Sequence, residues 1–120
     1  MRRRLREVKQ VSKLIPLSVK FRYKVDEWQI GGAVLEVLRL LPHGRHCVDV
    51  DRVDRVLKIE VEGKDYTGIE VIIDLDFSKV DLDYSPNLVT EKGIAFIREV
   101  INVLRRYGAK LYAVLYLMGK

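Results

Sequence analysis

The sequence contains few of the residues and motifs that mark secreted domains, membrane proteins or common enzyme families. It has one cysteine, two histidines and three prolines among 120 residues. Because Cys47 has no partner within the chain, an internal disulfide is excluded and a reducing, cytoplasmic location is expected. No apolar run approaches the roughly 18 residues of a membrane-spanning helix, so no membrane segment is predicted. Phosphate-binding loops, dinucleotide fingerprints and nucleophile elbows are missing, and no cofactor is expected.

The composition combines a large apolar fraction with dense charge. Hydrophobic residues make up 48% of the chain and charged residues 32%. These proportions exclude disorder and predict one globular domain over residues 1–120 with a heavily charged surface. Dense charge and short loops are also typical of thermophilic proteins, which is the origin we expect.

The net charge of +5 is concentrated at one end of the chain. Residues 1–25 carry nine Lys or Arg and one Glu, whereas the remaining residues carry thirteen Lys or Arg and sixteen acidic side chains. Such an asymmetry predicts an end that binds a polyanion. A basic helix that is merely solvated is the alternative.

Periodicity in the first third of the chain predicts a helix, a strand and a second helix. A basic amphipathic helix is predicted over residues 2–14, and strict alternation predicts a strand over residues 17–25. Asp26, followed by Gln29 as in a capping box, is expected to begin a helix that runs as far as Pro42.

The remainder predicts two further strands, a helix and a last strand. Residues 55–63 and 67–77 form an expected hairpin, before which residues 45–54 add at most a short extended piece. A helix is predicted over residues 91–107. The stretch 109–118 is apolar at nearly every position, so we expect a central strand covered on both faces.

From residue 17 to residue 118 the predicted order is βαββαβ, the pattern of the ferredoxin-like fold. The sequence therefore predicts an α+β sandwich, ferredoxin-like, with an additional N-terminal helix. Two helices would cover one face of the sheet and leave the other face open.

Single residues within or next to the two long helices indicate how those helices begin, end and pack. Thr90 is expected to cap the second helix, and Gly108 to close it. Gly31 and Gly32 each cost the first helix about 1 kcal/mol relative to Ala. They indicate either a close approach to the backbone or an irregular first turn.

Acidic residues alternate in the stretch "VIIDLDFSKVDLDYSP", residues 71–86. Side chains two apart on a strand share a face, so Asp74 and Asp76 would lie on the same side. Paired carboxylates suit Mg²⁺ and would support a small metal-dependent phosphotransferase or nuclease. The alternation is also what the solvated face of a half-buried strand requires, and this second interpretation is favoured. No metal site and no catalytic residue is therefore predicted.

Basic residues supply the stronger candidate site. Lys20, Arg22 and Lys24 lie in a row on one face of the predicted strand and continue the cationic N-terminal helix. Lys and Arg that contact phosphates release counterions and supply most of the sequence-independent affinity for nucleic acids. The predicted nucleic-acid-binding residues are Arg2, Arg3, Arg4, Arg6, Lys9, Lys13, Lys20, Arg22 and Lys24.

Over residues 2–73, short stretches resemble the THUMP domain of tRNA-modifying enzymes, among them thiouridine synthetases, certain tRNA methyltransferases and pseudouridine synthases. A THUMP domain also occurs in the partner protein of a tRNA cytidine acetyltransferase. The matching residues are Phe21, Arg22 and Lys24 in the first strand, Val48-Asp49-Val50 in the middle element and Ile59-Glu60-Val61 in the hairpin.

This resemblance implies binding to structured tRNA, largely through phosphates near the acceptor end, with the chemistry carried by another chain. We therefore expect a non-catalytic RNA-binding protein that acts as an accessory to a tRNA-modifying enzyme. The alternative is a protein–protein interaction or oligomerisation module, for example a homodimer.

Overall fold

The computed structural model describes residues 16–118 as an α+β arrangement of one six-stranded sheet and two helices. The strands are β1 (Pro16–Lys24), β2 (His46–Asp51), β3 (Val56–Val61), β4 (Glu70–Asp74), β5 (Lys79–Tyr84) and β6 (Lys110–Met118). The helices are α1 (Glu27–Leu40) and α2 (Glu91–Arg106), and a short 3₁₀ turn spans Lys64–Tyr66. The strand order is β2-β3-β4-β5-β1-β6, and every neighbouring pair is antiparallel. The helix predicted over residues 2–14 lies outside the described residues.

The first strand and the first long helix confirm the prediction from periodicity. Alternation produces β1, and the apolar stripe of α1 turns Ile30, Val34 and Val37 towards the sheet. The predicted capping box is wrong in its side-chain part. The carbonyl of Asp26 accepts a hydrogen bond from Gln29 N at 2.9 Å, but the Asp26 carboxylate makes no cap bond.

Four strands lie between the two helices, whereas the sequence predicted two and a short extended piece. The predicted strand over residues 67–77 is shorter, because β4 ends at Asp74 and the chain turns into β5. The residue that closes this turn is Ser78, with a positive φ of 52°. The turn between β2 and β3 likewise contains Arg55 at a φ of 55°. The pattern βαββαβ is therefore extended by two strands in the described chain.

The hydrophobic core lies between one face of the sheet and the two helices. Alternate strand residues such as Ile59, Val71 and Leu82 are fully buried there against α2 residues such as Val100 and Leu104. The other strand residues point to the opposite side of the sheet, which we call the open face. No helix within residues 16–118 covers the open face.

The predicted helix cap at Thr90 is confirmed. Thr90 Oγ1 accepts a hydrogen bond from Gly93 N at 3.1 Å and donates one to the Asp65 carbonyl at 2.6 Å. Gly108 follows the helix with a φ of 73°, the left-handed conformation expected of a closing glycine. The two ends of α2 are therefore fixed by local chemistry that the sequence displays.

The last strand is the clearest correction to the sequence-based fold. β6 lies at an edge of the sheet with β1 as its one described neighbour, and its apolar side chains are largely exposed. The prediction of a central strand covered on both faces is wrong, because apolar character alone does not determine a strand's position in a sheet. Within the described chain, no helix has the length and apolar character needed to cross a membrane.

Candidate nucleic-acid interface

The open face carries charged side chains on all six strands. Residues that are paired in register on neighbouring strands share a face, so the strand pairing fixes which charges meet. Acidic residues dominate on β2 and β4, whereas cations dominate on β1. The sign of the charge on the open face therefore changes from strand to strand.

The three basic residues predicted on β1 lie in a row on the open face, as their alternation indicated. Two of them face carboxylates on β5: Lys20 is paired in register with Asp83, and Arg22 with Asp81. The Arg22 Nε atom lies 3.5 Å from Asp81 Oδ2. Much of the positive charge that the sequence assigned to this strand is therefore balanced by neighbouring acids.

The Asp83 carboxylate balances the positive charge of Lys20 only in part. Burial raises the pKa of Asp83 above its usual value, and the positive charge of Lys20 offsets only part of that rise. The nearby Asp81 carboxylate raises the pKa further. The Asp83 Oδ1 atom is buried and accepts no hydrogen bond from any residue that the structure describes. The charged form of Asp83 is therefore disfavoured in the folded protein.

Lys24 differs from the other two cations of β1. It is paired in register with Lys79 on β5 and with Lys110 on β6, so three lysines occupy neighbouring positions across three strands. We call these residues the cationic row. Within residues 16–118 none of the three forms an ion pair with a carboxylate, although Asp74 is the register partner of Lys79 on the other side. The Lys24 ammonium donates a hydrogen bond to the Phe77 carbonyl.

Two aromatic rings flank the cationic row. The Lys79 Nζ atom lies 5.7 Å from the ring centroid of Phe77 and 5.8 Å from that of Tyr112. Phe77 is 64% exposed and Tyr112 48% exposed. Tyr112 lies at an irregularity in the pairing of β6 with β1, next to the register shift at Arg22 and Tyr23. The Tyr112 ring is therefore accessible beside the Lys79 ammonium.

A pocket of about 220 Å³ opens beside Tyr112 on this part of the open face. Val56 and Ile72 contribute apolar side chains to it, and it is also lined by Arg22, Asp74, Lys79, Asp81 and Tyr112. Hydrogen-bond donors and acceptors thus stand around an apolar and aromatic wall. This combination suits a flat, polar-edged ring such as a nucleobase.

Asp74 and Asp76 do not converge on one point. Asp74 Oδ1 accepts a hydrogen bond from Phe77 N at 3.1 Å, which stabilises the turn after β4. Asp76 lies within that turn, and its Oδ1 atom is 3.4 Å from Arg55 Nε. Since β4 ends at Asp74, the two carboxylates do not share a strand face as the alternation predicted.

A second acidic group crosses three strands elsewhere on the open face. Glu60, Glu70 and Asp83 are paired in register and line a cavity of about 300 Å³. Lys58 Nζ lies 3.5 Å from a Glu60 oxygen and 3.7 Å from a Glu70 oxygen, so part of this charge is neutralised. In the part of the chain that the structure describes, no three His, Cys, Asp or Glu side chains are grouped to hold a metal ion.

The predicted basic residues Arg2, Arg3, Arg4, Arg6, Lys9 and Lys13 lie outside the described residues. They account for six of the 22 Lys and Arg residues, and one of the 17 acidic residues precedes Pro16 as well. The rest of the chain therefore carries equal numbers of positive and negative side chains. These six residues precede Pro16 in the sequence. Pro16 lies at the end of β1 opposite to Lys24, about 27 Å away along an extended strand.

Sequence reasoning missed Lys79, Lys110 and Tyr112 as members of this site. The alternation in "KVDLDY", residues 79–84, was the available signal for β5 and hence for Lys79. Lys110 and Tyr112 become neighbours of Lys24 through long-range pairing, which no local pattern reveals. No family model, curated protein or solved structure matches this chain.

Proposed function

We propose that this protein binds RNA, structured tRNA in particular, without catalysing a reaction itself. The observation that carries the proposal is the cationic row of Lys24, Lys79 and Lys110 beside the accessible rings of Phe77 and Tyr112. Phosphate-binding ammonium groups next to a stacking ring are the two elements with which proteins bind unpaired nucleotides, and a folded tRNA presents such nucleotides in its loops and at its end, beside ordered phosphates.

An anionic ligand suits the cationic row on energetic grounds. Like charges at directly opposed positions on neighbouring strands destabilise a sheet. Lys24 is opposed by a lysine on each side, and only Lys79 has a carboxylate, Asp74, as its further neighbour. A bound phosphate would relieve this repulsion, whereas a bound cation would increase it.

The remaining predicted residues take supporting roles in this proposal. Lys20 and Arg22 are opposed by carboxylates, so they contribute less to phosphate binding than Lys24 does. The N-terminal residues Arg2, Arg3, Arg4, Arg6, Lys9 and Lys13 contain the charge excess of the chain and supply additional phosphate contacts. The resemblance to the THUMP domain favours tRNA as the RNA, and a separate protein as the carrier of the chemistry.

The proposal extends to the fold and the location. We infer a ferredoxin-like unit made of β1, β4, β5 and β6 with the two helices, to which the hairpin of β2 and β3 is added. An N-terminal helix would precede β1. Cys47 is exposed and unpaired, which suits a reducing cytoplasm.

Fluorescence anisotropy with labelled tRNA and with a labelled single-stranded oligonucleotide, each over a salt series, tests the proposal. We expect tRNA to bind more tightly, with the logarithm of affinity falling linearly with the logarithm of salt concentration. Absence of binding to either RNA at low salt would contradict the function.

Two triple variants locate the interface. Lys24→Ala, Lys79→Ala and Lys110→Ala together should weaken binding and reduce the salt slope by about 2 to 3. The matched control removes the same number of charges away from the open face, by Lys64→Ala, Lys92→Ala and Arg98→Ala, and should retain most of the slope. Equal losses in both triple variants would show that overall charge, and not the cationic row, governs binding.

A second candidate function is protein–protein interaction, and one observation favours it. β6 is an edge strand whose apolar side chains are exposed, and such a strand is a template for pairing with another chain. Strand pairing would use the outer backbone groups of β6, whereas RNA binding would use side chains of the open face, including Lys110 and Tyr112 of the same strand, so both can belong to one protein.

A further inference from the structure

The two edges of the sheet differ in how they are protected against strand pairing. On one edge, β2 spans six residues and includes Asp49 and Asp51, both exposed. On the other edge, β6 spans nine residues, and after Lys110 none of its residues from 111 to 118 is charged. Charged side chains on edge strands prevent unwanted pairing, so β2 is a protected edge and β6 is not.

The exposed apolar side chains of β6 lie on both faces of the sheet. Leu115 and Leu117 are paired in register with Lys20 and Ser18, which places them on the open face. Tyr116 is paired with the buried Val19, which places it on the helix side, yet it is 62% exposed. Leu115 and Leu117 are 44% and 62% exposed.

Exposed apolar side chains on both faces of the sheet restrict the kind of polypeptide segment that can cover β6. A segment packed on one face would leave the other face exposed and would not pair with the outer N–H and C=O groups of the strand. A strand added at the edge pairs with those groups and shields apolar side chains on both faces.

We propose that β6 pairs antiparallel with β6 of a second copy of this chain, which joins two sheets into one continuous sheet across a two-fold axis. The uncharged stretch 111–118 is self-complementary, because antiparallel pairing centred within it opposes no like charges. The acidic β2 edge does not pair in the same way, so the assembly closes as a dimer. The two open faces lie on the same side of the joined sheet, and each copy presents its cationic row there.

Sedimentation velocity over a concentration series, without RNA, tests the dimer. The full-length protein should sediment as a dimer, and the double variant Leu115→Lys with Leu117→Lys should raise the dissociation constant at least about tenfold by placing like charges in the interface. Val50→Lys is the matched control, since Val50 is a 57% exposed residue of the other edge strand and should leave the dimer intact.

A crosslinking measurement keeps the proposal testable if the lysine variants fold poorly. In a Cys47→Ser background, single cysteines introduced by Val114→Cys, Leu115→Cys or Tyr116→Cys should form an intermolecular disulfide at the position nearest the two-fold axis. A cysteine at Val50→Cys should not. A monomer at all concentrations, an open-ended polymer, or a dimer dissociated by Val50→Lys and not by the β6 variant would overturn the proposal.

Discussion

The Arg22 guanidinium and the Asp81 carboxylate face each other across β1 and β5, with Nε and Oδ2 3.5 Å apart. The pair is partly exposed, so it contributes at most about 1 kcal/mol to the free energy of unfolding. Its greater consequence is electrostatic. The Asp81 carboxylate reduces the positive potential around Lys20, Arg22 and Lys24 on β1. It therefore weakens the attraction between Arg22 and a phosphate.

Removing the acid should therefore strengthen RNA binding. We expect Asp81→Asn to increase affinity for tRNA about threefold to tenfold at low salt, on the order of the 1 kcal/mol by which two charges about 4 Å apart interact in water. Glu99→Gln makes the same charge change on the exposed surface of α2 and should alter affinity less. Anisotropy titrations of both variants measure the difference, and equal effects would argue against Arg22 as a contact.

Asp83 predicts a pH dependence of stability. Burial raises the pKa of Asp83 in the folded protein above its usual value of 3.8, so the folded state holds this proton at a pH where the unfolded chain has released it. The free energy of unfolding should consequently fall as the pH rises from 3.8 through the raised pKa. Asp83→Asn should remove that decrease and stabilise the protein at pH 7.

Urea unfolding at a series of pH values from 4 to 7 checks this expectation. Asp54→Asn makes the same change at an exposed carboxylate in the turn between β2 and β3 and is the control for the loss of one charge. A wild-type stability that rises over this pH range, with the same profile in Asp83→Asn, would contradict a raised pKa at Asp83.

Local patterns in the sequence were sufficient for β1 and for both helices. Strict alternation from Leu17 onwards and the apolar stripes of the helices depend only on neighbours in the chain. The hairpin turns were harder, because Arg55 and Ser78 adopt positive φ where a glycine would have signalled the turn. Without that signal the preceding strand was predicted to run to residue 77, and no strand was predicted over residues 79–84.

Only the part of the candidate site that lies on β1 could be predicted from the sequence. Alternation placed Lys20, Arg22 and Lys24 on one face, but which charges stand opposite depends on the register with β5 and β6. Register is set by long-range pairing, so the partners Asp81 and Lys79 could not be read from the sequence. The predicted position of β6 was wrong for the same reason, because the burial of a strand depends on which strands lie beside it.

The Thr90 cap makes a prediction about stability. Thr90→Ala removes the acceptor for Gly93 N and the donor to the Asp65 carbonyl, which should lower the free energy of unfolding by about 1 to 2 kcal/mol. Thr90→Ser keeps the hydroxyl and should lose much less. Thr67→Ala is the control, since the exposed Thr67 hydroxyl bonds only to nearby carbonyls. Urea denaturation compares the three, and equal losses in the two Thr90 variants would contradict a role for the hydroxyl.

The adjacent glycines of α1 are predicted to respond differently to the same substitution. A Cβ atom added at Gly31 meets nothing within 4 Å, so Gly31→Ala should stabilise the helix by up to about 1 kcal/mol. A Cβ atom added at Gly32 would lie 2.6 Å from the Tyr107 ring at the end of α2. Gly32→Ala should therefore lose this gain or destabilise the protein, because the ring must move.

The double variant Gly32→Ala with Tyr107→Leu tests whether the Tyr107 ring causes the cost of Gly32→Ala. If the Tyr107 ring is what Gly32 accommodates, Gly32→Ala should cost less in the Tyr107→Leu background than in the wild type, as thermal unfolding and urea denaturation would both show. Equal costs in the two backgrounds would mean that the helix geometry, and not the approach of Tyr107, requires glycine at this position. The contact matters to the fold because it joins the N-terminal part of α1 to the C-terminal end of α2.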